Sequence, residues 1–332
     1  MSFRPLVSIV TPSFNQARYL ETTLRSVLGQ DYPHIEYLVV DGGSSDGSVA
    51  IIRRYAQRLA WWVSEPDRGQ ADGINKGLRR ARGEIVAWLN SDDVYAPWAV
   101  REAVEAFRRH PQAGLVYGNA LSIDAAGRAF HTLKAGPWGL PQLMTFHMLA
   151  QPAVFMRRDV AEAVGFLDDD FHFLLDHKLW LKMAARAEMV YVPRVWAFAR
   201  YHSDAKNAAQ AERFGEEALR LARWLATDAA FAPLYARLHR RVWAAAYRFR
   251  GRYLMDADRY AAALGSYLHG LWLHPPTVLP EAHRLAFALV GSLGLGAPLR
   301  RWYYRRAWGK VPPEAVAIGI VNADAFWQQA AV

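Results

Sequence analysis

LVSIVTPSFN (residues 6–15), IEYLVVDGGS (35–44) and IVAWLNSDD (85–93) share one form: a strand-length apolar run that ends in a polar cluster. The segments between and beside them, 17–29, 46–59 and 70–82, carry apolar residues at helical spacing. Short apolar strands alternating with helical patterns predict a parallel sheet flanked by helices. Ser44, Ser45 and Asp46 can cap the second helix, and Gly83 stops the third. Pro97 opens a further helix over 97–109, closed by His110-Pro111. A strand at 114–118 and a hairpin turning through Asp124 to Gly127 follow. The pattern then repeats on a smaller scale. It predicts a strand at 153–157, helices at 158–164 and 175–187, and two short strands within 189–201 around Pro193. Beyond Lys206 the chain is rich in Ala, Leu and Arg and reads as helical, so a boundary is expected near residue 205. The expected fold class is therefore α/β, with a mostly parallel central sheet, flanking helices and a C-terminal all-helical region.

The bulk composition narrows the function. The chain has 332 residues, 52% of them apolar, enough to bury a full core. It has no cysteine, which excludes disulfides, zinc-thiolate sites and thiol catalysis and agrees with a reducing cytoplasm. The N-terminus reads as the start of a strand and not as a signal peptide. No apolar run reaches the ~18–20 residues that span a bilayer. Residues 285–299 are glycine-rich and fit a buried helix pair or an interfacial segment. Charge is uneven: residues 205–332 hold 17 Lys+Arg against 9 Asp+Glu, and the rest of the chain holds 23 against 22. A basic C-terminal half suits an anionic membrane surface, and equally a solvated arginine-rich helical face. Arg300, Arg301, Arg305, Arg306 and Lys310 surround Trp302, Tyr303, Tyr304 and Trp308, the mixture an interfacial anchor needs.

The chemistry is expected where the three strands end, at Thr11-Pro12-Ser13-Phe14-Asn15, at Asp41-Gly42-Gly43-Ser44 and at Asn90-Ser91-Asp92-Asp93. Ligands of open parallel sheets bind at the carboxyl ends of the strands. Any one of these aspartates could simply cap the helix that follows; three polar ends together describe a pocket. No Gly-x-Gly-x-x-Gly follows the first strand and no P-loop occurs, so neither phosphate cradle is present. A nucleotide bound here would need its phosphates neutralised by a metal on carboxylates. Asp92 and Asp93 offer the hard oxygen ligands that suit Mg²⁺ or Mn²⁺.

VSIVTPSFNQARYLETTLRSVLGQDYPHIEYLVVDGGSSDGS and EPDRGQADGINKGLRRARGEIVAWLNSDD, followed by QPAVFMRRDVAEAVGFLDDDFHFLLDHKLWLKMA and RYHSDAKN, resemble the family 2 glycosyltransferases of the GT-A fold. The resemblance runs over roughly residues 5–207. It implies a catalytic domain over 1–205, with a nucleotide-sugar half at about 1–95 and an acceptor half at about 96–205, and leaves 206–332 as the helical region. It implies that Thr11, Pro12, Ser13 and Asn15 wrap the nucleotide and that Asp41 contacts its base or ribose. Asp67, Gly69, Asn75 and Lys76 fall in the donor-side segment, where Lys76 would face a phosphate. Asn90-Ser91-Asp92 stands where the family has its DxD motif. Since its first position is Asn here, Asp92 becomes the metal ligand and Asp93 its support. Asp176 matches the catalytic-base aspartate before a Leu-Trp helix; Lys178 stands where relatives often carry an acid. His202 matches a late histidine that closes over metal or diphosphate.

The implied reaction is inverting transfer of a sugar from a nucleotide-diphosphate sugar to a hydroxyl on a glycan or lipid-linked acceptor. Its cofactor is a divalent metal, Mn²⁺ or Mg²⁺, and its setting is cell-surface glycan assembly. The expected location is the cytoplasm, with attachment to the inner membrane face as an open alternative. One carboxylate to take the hydroxyl proton and one metal to neutralise the leaving diphosphate are sufficient for such chemistry. Asp176 also fits a helix cap, His202 an ordinary surface histidine and Lys76 a solvated lysine. Two competing functions remain at this level: a nucleotidyltransferase, which would release pyrophosphate, and a catalytically silent nucleotide-sugar-binding scaffold. Nucleic-acid binding has no recognisable module in the chain.

Overall fold

The computed structural model describes residues 4–202, 210–296 and 310–330. The first alternation forms as the periodicity predicts. Strand β1 (Val7–Ser13) leads to helix α1 (Ala17–Leu28), β2 (Ile35–Asp41) to α2 (Ser48–Tyr55), and β3 (Trp61–Ser64) to α3 (Gln70–Arg80), before β4 (Ile85–Trp88). β3 is a strand that hydropathy did not signal: Trp61-Trp62-Val63-Ser64 is short and lies directly behind a helical pattern. It pairs parallel with β2, β2 with β1 and β1 with β4. Val7, Ile9, Val39, Ile85 and Ala87 point into a core with Leu20, Leu24 and Val27 of α1, all buried.

The second half departs from the expected parallel sheet. After β5 (Val94–Tyr95) and α4 (Ala99–Arg109), a long β6 (Ala113–Ile123) turns back as β7 (Ala129–Leu133). A short α5 (Leu140–Met144) precedes β8 (Val154–Arg157), α6 (Arg158–Ala163), α7 (Leu175–Ala184) and β9 (Glu188–Arg200). The strand order is β3-β2-β1-β4-β8-β6-β9-β5, with β7 beside β6. β8 runs antiparallel to both β4 and β6, as do β5 to β9 and β7 to β6; only β6 and β9 are parallel. The sheet is thus mixed: the two strands of a hairpin must be antiparallel, and β8 enters the gap between β4 and β6 in the reverse sense. The two short strands expected around Pro193 are one strand, β9, whose register to β6 shifts at several points along its length.

Two compact units result. One comprises the chain up to Trp138, Leu149–Tyr201 and the segment from Val311 onward; the other comprises Gly139–Met148 and His202–Lys310. The chain therefore returns to the sheet unit at its end, with α13 (Pro313–Ala317) and α14 (Ala323–Gln329), where a continuous helical region over 206–332 was expected. In the chain between, the second unit contains α8 (Ala211–Thr227), α9 (Ala232–Asp256), α10 (Tyr260–Leu273), α11 (Pro275–Val278) and α12 (Ala282–Val290). α9 and α10 form a helical hairpin, closed by Gly251 of α9 against the Tyr267 ring. Arg248 and Arg252 of α9 share the buried Glu281, so their charges are paired where an isolated one would be costly. The cationic and aromatic cluster at 300–308 lies outside the described residues. Among the described residues, no helix is long and apolar enough to cross a membrane.

Candidate functional site

The parallel half aligns its strand ends by register. Ser13 of β1 pairs with Asp41 of β2, and Asp41 with Ser64 of β3, so three polar side chains lie abreast at one edge. Asp41 is fully buried. One of its oxygens accepts the N–H groups of Gly43 (3.1 Å) and Ser44 (2.9 Å) and the Ser64 hydroxyl (2.7 Å); the other accepts the Ser44 hydroxyl (2.6 Å). The carboxylate expected to meet a base or ribose thus also shapes its own loop. Asn15 adopts φ 52°, a region Asn tolerates, and its side-chain carbonyl accepts the Ser45 N–H (2.9 Å) while its own N–H donates to Ser44 Oγ (2.8 Å). Thr11 shares a hydrogen bond with the Tyr37 hydroxyl (2.9 Å) beneath. Pro12 and Ser13 complete the rim, and the buried Ser13 hydroxyl has no hydrogen-bond partner among the described residues. Phe14, which the motif carries without assigning it a role, stands 60% exposed on this loop.

The donor-side segment divides. Asp67 accepts the Gly69 N–H (2.9 Å) and presses against Gly42, where an added Cβ would stand 2.6 Å from its Oδ2. A side chain at position 42 would displace the Asp67 carboxylate from this place. Asn75 takes a different part from the one expected. It is buried, its amide donates to the Leu167 carbonyl (2.9 Å), and its carbonyl accepts the Leu167 N–H (3.1 Å). Both ends of the amide are thus used to pin α3 to the loop before α7. Lys76 pairs with Glu65 (3.0 Å) and donates to the Pro66 carbonyl (3.3 Å). Arg68, which the motif reading passed over, bridges Asp72 (3.1 Å) and Asp169 (2.9 Å) and so reaches the same loop.

At the end of β4, Asn90 is the hub. Its carbonyl accepts from Gln70 (2.9 Å), and its amide donates to Gln151 (3.0 Å) and to Asp93 (3.3 Å); Gln151 in turn donates to the Trp88 carbonyl (2.9 Å). The buried Thr23 hydroxyl of α1 donates to the carbonyls of both Ser91 (3.0 Å) and Asp93 (2.8 Å), fixing the turn from below. Asp92 is half-buried on this turn. Asp93, expected to support it as a ligand, faces inward instead. It is buried, and its Oδ1 accepts the Arg200 N–H (2.9 Å) while Oδ2 takes the Asn90 amide. Burial first, then the charge of Asp92, push its carboxyl up to about 8.

Asp176 lies in the first turn of α7, and its Oδ1 accepts the N–H of His177 (2.7 Å). Lys178 is buried and pairs with Asp168 (3.1 Å) and Asp170 (3.5 Å), its ammonium 4.2 Å from the centre of the Phe171 ring. Its charge thus meets the acidic loop before the helix. Trp180, one turn beyond Asp176, stacks on Trp88, two residues before Asn90, with ring centres 5.2 Å apart and planes at 21°. This stack joins the helix of the candidate base to the strand of the candidate metal turn. His202 belongs to the other compact unit, at the start of its longer segment.

The profile of Glycosyl transferase family 2 matches residues 8–160. An uncharacterised glycosyltransferase of Mycobacterium tuberculosis is 31% identical over 195 residues, 58% of this chain and 74% of that protein. The chain belongs to glycosyltransferase family 2. TuaG of Bacillus subtilis, a provisional teichuronic acid biosynthesis glycosyltransferase, is 43% identical over 95 residues, 28% of this chain and 38% of TuaG. Among solved structures, the mannosyltransferase of Pyrobaculum calidifontis in complex with GDP-Man and Mn²⁺ superposes with a TM-score of 0.61 at 21% identity, covering 99% of this chain and 89% of that one. Residues 1–349 of Staphylococcus aureus TarS give 0.61 at 16% identity, covering 93% and 95%. At these identities the two structures share the GT-A-like fold.

Proposed function

We propose that this glycosyltransferase moves a sugar from a nucleotide-diphosphate donor to a hydroxyl of a glycan or lipid-linked acceptor by one inverting displacement. The observation that carries the reading is the Trp88–Trp180 stack, because it ties the Asn90–Asp93 turn and the Asp176 helix to one edge of the sheet. Support also comes from TarS, solved with UDP-GlcNAc, and from the Pyrobaculum enzyme with GDP-Man and Mn²⁺. The similarity to TuaG favours cell-surface polysaccharide as the setting.

The residues present fit a divalent metal of the Mg²⁺ or Mn²⁺ kind. No group of three or more acidic or imidazole side chains among the described residues could hold such an ion unaided. Asp92 would contribute one hard carboxylate, and the donor diphosphate and water the remainder, as is usual for these ions at phosphates. When bound, the metal neutralises charge on the departing diphosphate. The rim formed by Thr11–Asn15, Asp41–Ser45 and Ser64 receives the nucleoside, with Ser13 offering a hydroxyl and Phe14 a ring face. Asp176 accepts the proton of the acceptor hydroxyl at a carboxylate oxygen as that oxygen attacks the anomeric carbon. Lys178 pairs with Asp168 and Asp170 of the acidic loop before the helix.

Incubation with UDP-, GDP- and dTDP-sugars, with Mn²⁺ or Mg²⁺ and then with excess chelator, tests this. Metal-dependent release of a nucleoside diphosphate is expected, and the product's anomeric proton should report inversion by NMR. Release of pyrophosphate would identify a nucleotidyltransferase instead, and binding without turnover a scaffold. Attachment to an anionic membrane surface is favoured by Trp272 and Leu293, 74% and 75% exposed on the helical unit, together with that region's positive charge. Salt-reversible co-sedimentation with anionic vesicles is expected, weakened by Trp272→Ser; no sedimentation at low salt would remove this partner.

A further inference from the structure

Arg200, the last residue of β9, has a guanidinium that is completely buried. Its Nε donates to the Asp92 carbonyl (2.8 Å), and its backbone N–H donates to the Asp93 carboxylate. One terminal nitrogen donates to the Asp124 carbonyl (3.2 Å) and to Asp324 (3.0 Å), the other to Asp324 alone (2.6 Å). The Tyr19 ring covers the guanidinium face at 4.6 Å. A charge buried this deeply persists only with a counter-charge, and the fork to Asp324 supplies it.

Asp324 comes from α14, more than a hundred residues beyond β9, and α14 is firmly seated on the sheet unit. Asn322 caps it, accepting the Ala325 N–H (3.0 Å), and donates to the Ala126 carbonyl (3.1 Å) of the β6–β7 turn. The Trp327 indole donates to the Tyr95 carbonyl (2.9 Å), and its ring fills the space beside Gly29. Thr132 of β7 donates to Glu314 (2.9 Å). The returning segment reaches the Asn90–Asp93 turn from Asp324 through Arg200, which holds the backbone of Asp92 and the side chain of Asp93, and it also packs beside Val94 and Tyr95 just beyond that turn.

We infer that Arg200 and Asp324 are positioning residues, through which the C-terminal segment 311–330 sets the Asp92–Asp93 turn for metal binding. This rests on the proposed role of Asp92. A partner one shell out from a metal ligand typically changes metal affinity by about 10–100-fold when it is lost. Without Asp324, Arg200 is left buried and unpaired, and it can no longer hold the Asp92 carbonyl in place.

The test measures Mn²⁺ bound by the full chain in the presence of UDP or GDP, read from the free-ion EPR signal, alongside the Mn²⁺ dependence of transfer and the melting temperature. Asp324→Asn should raise the Mn²⁺ concentration for half-saturation by about 10-fold or more, and Asp324→Glu should recover most of that. Glu314→Gln, which weakens the docking of the same segment far from the turn, should lower the melting temperature and leave Mn²⁺ binding at the wild-type value. If Asp324→Asn fails to fold, Arg200→Lys, which keeps the charge but loses the fork, should show the same shift. Wild-type Mn²⁺ affinity in a folded Asp324→Asn or Arg200→Lys protein overturns the inference alone. Wild-type protein that binds no Mn²⁺ with either nucleotide, or Asp92→Ala that binds it normally, overturns the metal reading as well.

Discussion

β1 to β4 form the parallel half of the sheet and β5 to β9 its largely antiparallel half, and the two halves hold their polar residues differently. In the parallel half the strands end in register, and the buried groups are satisfied close by: Asp41 by Gly43, Ser44 and Ser64, and Asn15 by Ser44 and Ser45. The ties that join this half to β5–β9 and to the returning segment have partners far along the chain. Asn75 answers to Leu167, Asp93 to Arg200, and Arg200 to Asp324. A parallel array can bring polar ends together by strand register alone, whereas a mixed array needs long-range ties to place α7 and the β4 turn. Changes in the first half should therefore act on one loop, and changes at the ties on several elements together.

The largest expected effect lies at the base. Asp176→Asn keeps the side chain's shape and its acceptance of the His177 N–H, yet removes the proton acceptor. Its kcat should fall by about 10²–10⁴ with donor affinity nearly unchanged. Activity within a few-fold of wild type would move the role to another residue, and Asp168, Asp169 and Asp170 would be tested next. Asp92→Ala follows, with an expected loss of roughly 10²–10³ in kcat and weaker metal-dependent donor binding, since one electrostatic stabiliser of the leaving group is gone. Unchanged turnover in that variant, or in wild type under excess chelator, would remove the metal from the site.

Asn75→Ala tests the ties directly. It leaves the Leu167 N–H and carbonyl without their partner in a buried setting. The expected loss is about 2–3 kcal/mol by chemical denaturation, with a fall in kcat because the loop leading to Asp176 is released. If stability drops and kcat is unaffected, the loop is anchored well enough by Arg68 and Lys178, and the contrast between the two halves weakens.

The sequence made the first half legible because its information is local. Apolar runs, helical spacing and polar strand ends lie within a few residues of one another, and α1, α3 and β2 form close to the expected bounds, while β1 runs on through Thr11 to Ser13. β3 was missed because four residues carry too little periodicity. β6 extends beyond the expected 114–118 because Asn119 and Ser122 look like a strand end, although both are buried, and Asn119 accepts from Ala135 and Tyr191. The antiparallel entry of β8 has no hydropathy signature at all, since a strand's pattern does not encode its direction. The same limit applies to the site. The motif pointed to Asp92, Asp93 and Asp176, but the inward turn of Asp93 depends on Arg200, and no spacing within one chain reveals a partner over a hundred residues away. Thr23 had a faint signal, a hydroxyl on the apolar face of α1 that had to find a partner.

The smallest effect expected concerns β2 itself, which carries a buried carboxylate at each end, Asp41 at the site and Glu36 at the opposite edge. Glu36 accepts the Ser8 hydroxyl (2.5 Å), the Arg82 N–H (2.7 Å) and the Arg82 guanidinium (2.6 Å). Burial alone would raise its pKa, but these bonds and the Arg82 charge outweigh it and hold the carboxyl below its ordinary 4.5. A carboxylate with a depressed folded-state pKa contributes stability above the unfolded value and loses it as pH falls through the folded one. Glu36→Gln puts an amide where donors converge and should cost about 1–2 kcal/mol near pH 7. Other carboxylates titrate in the same acid range, so wild type and variant are compared at each pH, and distant groups cancel in the difference. The gap should be widest near neutrality and close once pH falls below the folded pKa of Glu36, with transfer activity at neutral pH unchanged because the edge is remote from the strand ends. A gap independent of pH would mean that the amide disturbs packing and not charge. A matched loss of activity would mean that the two ends of β2 are coupled, contrary to the local character claimed for this half of the sheet.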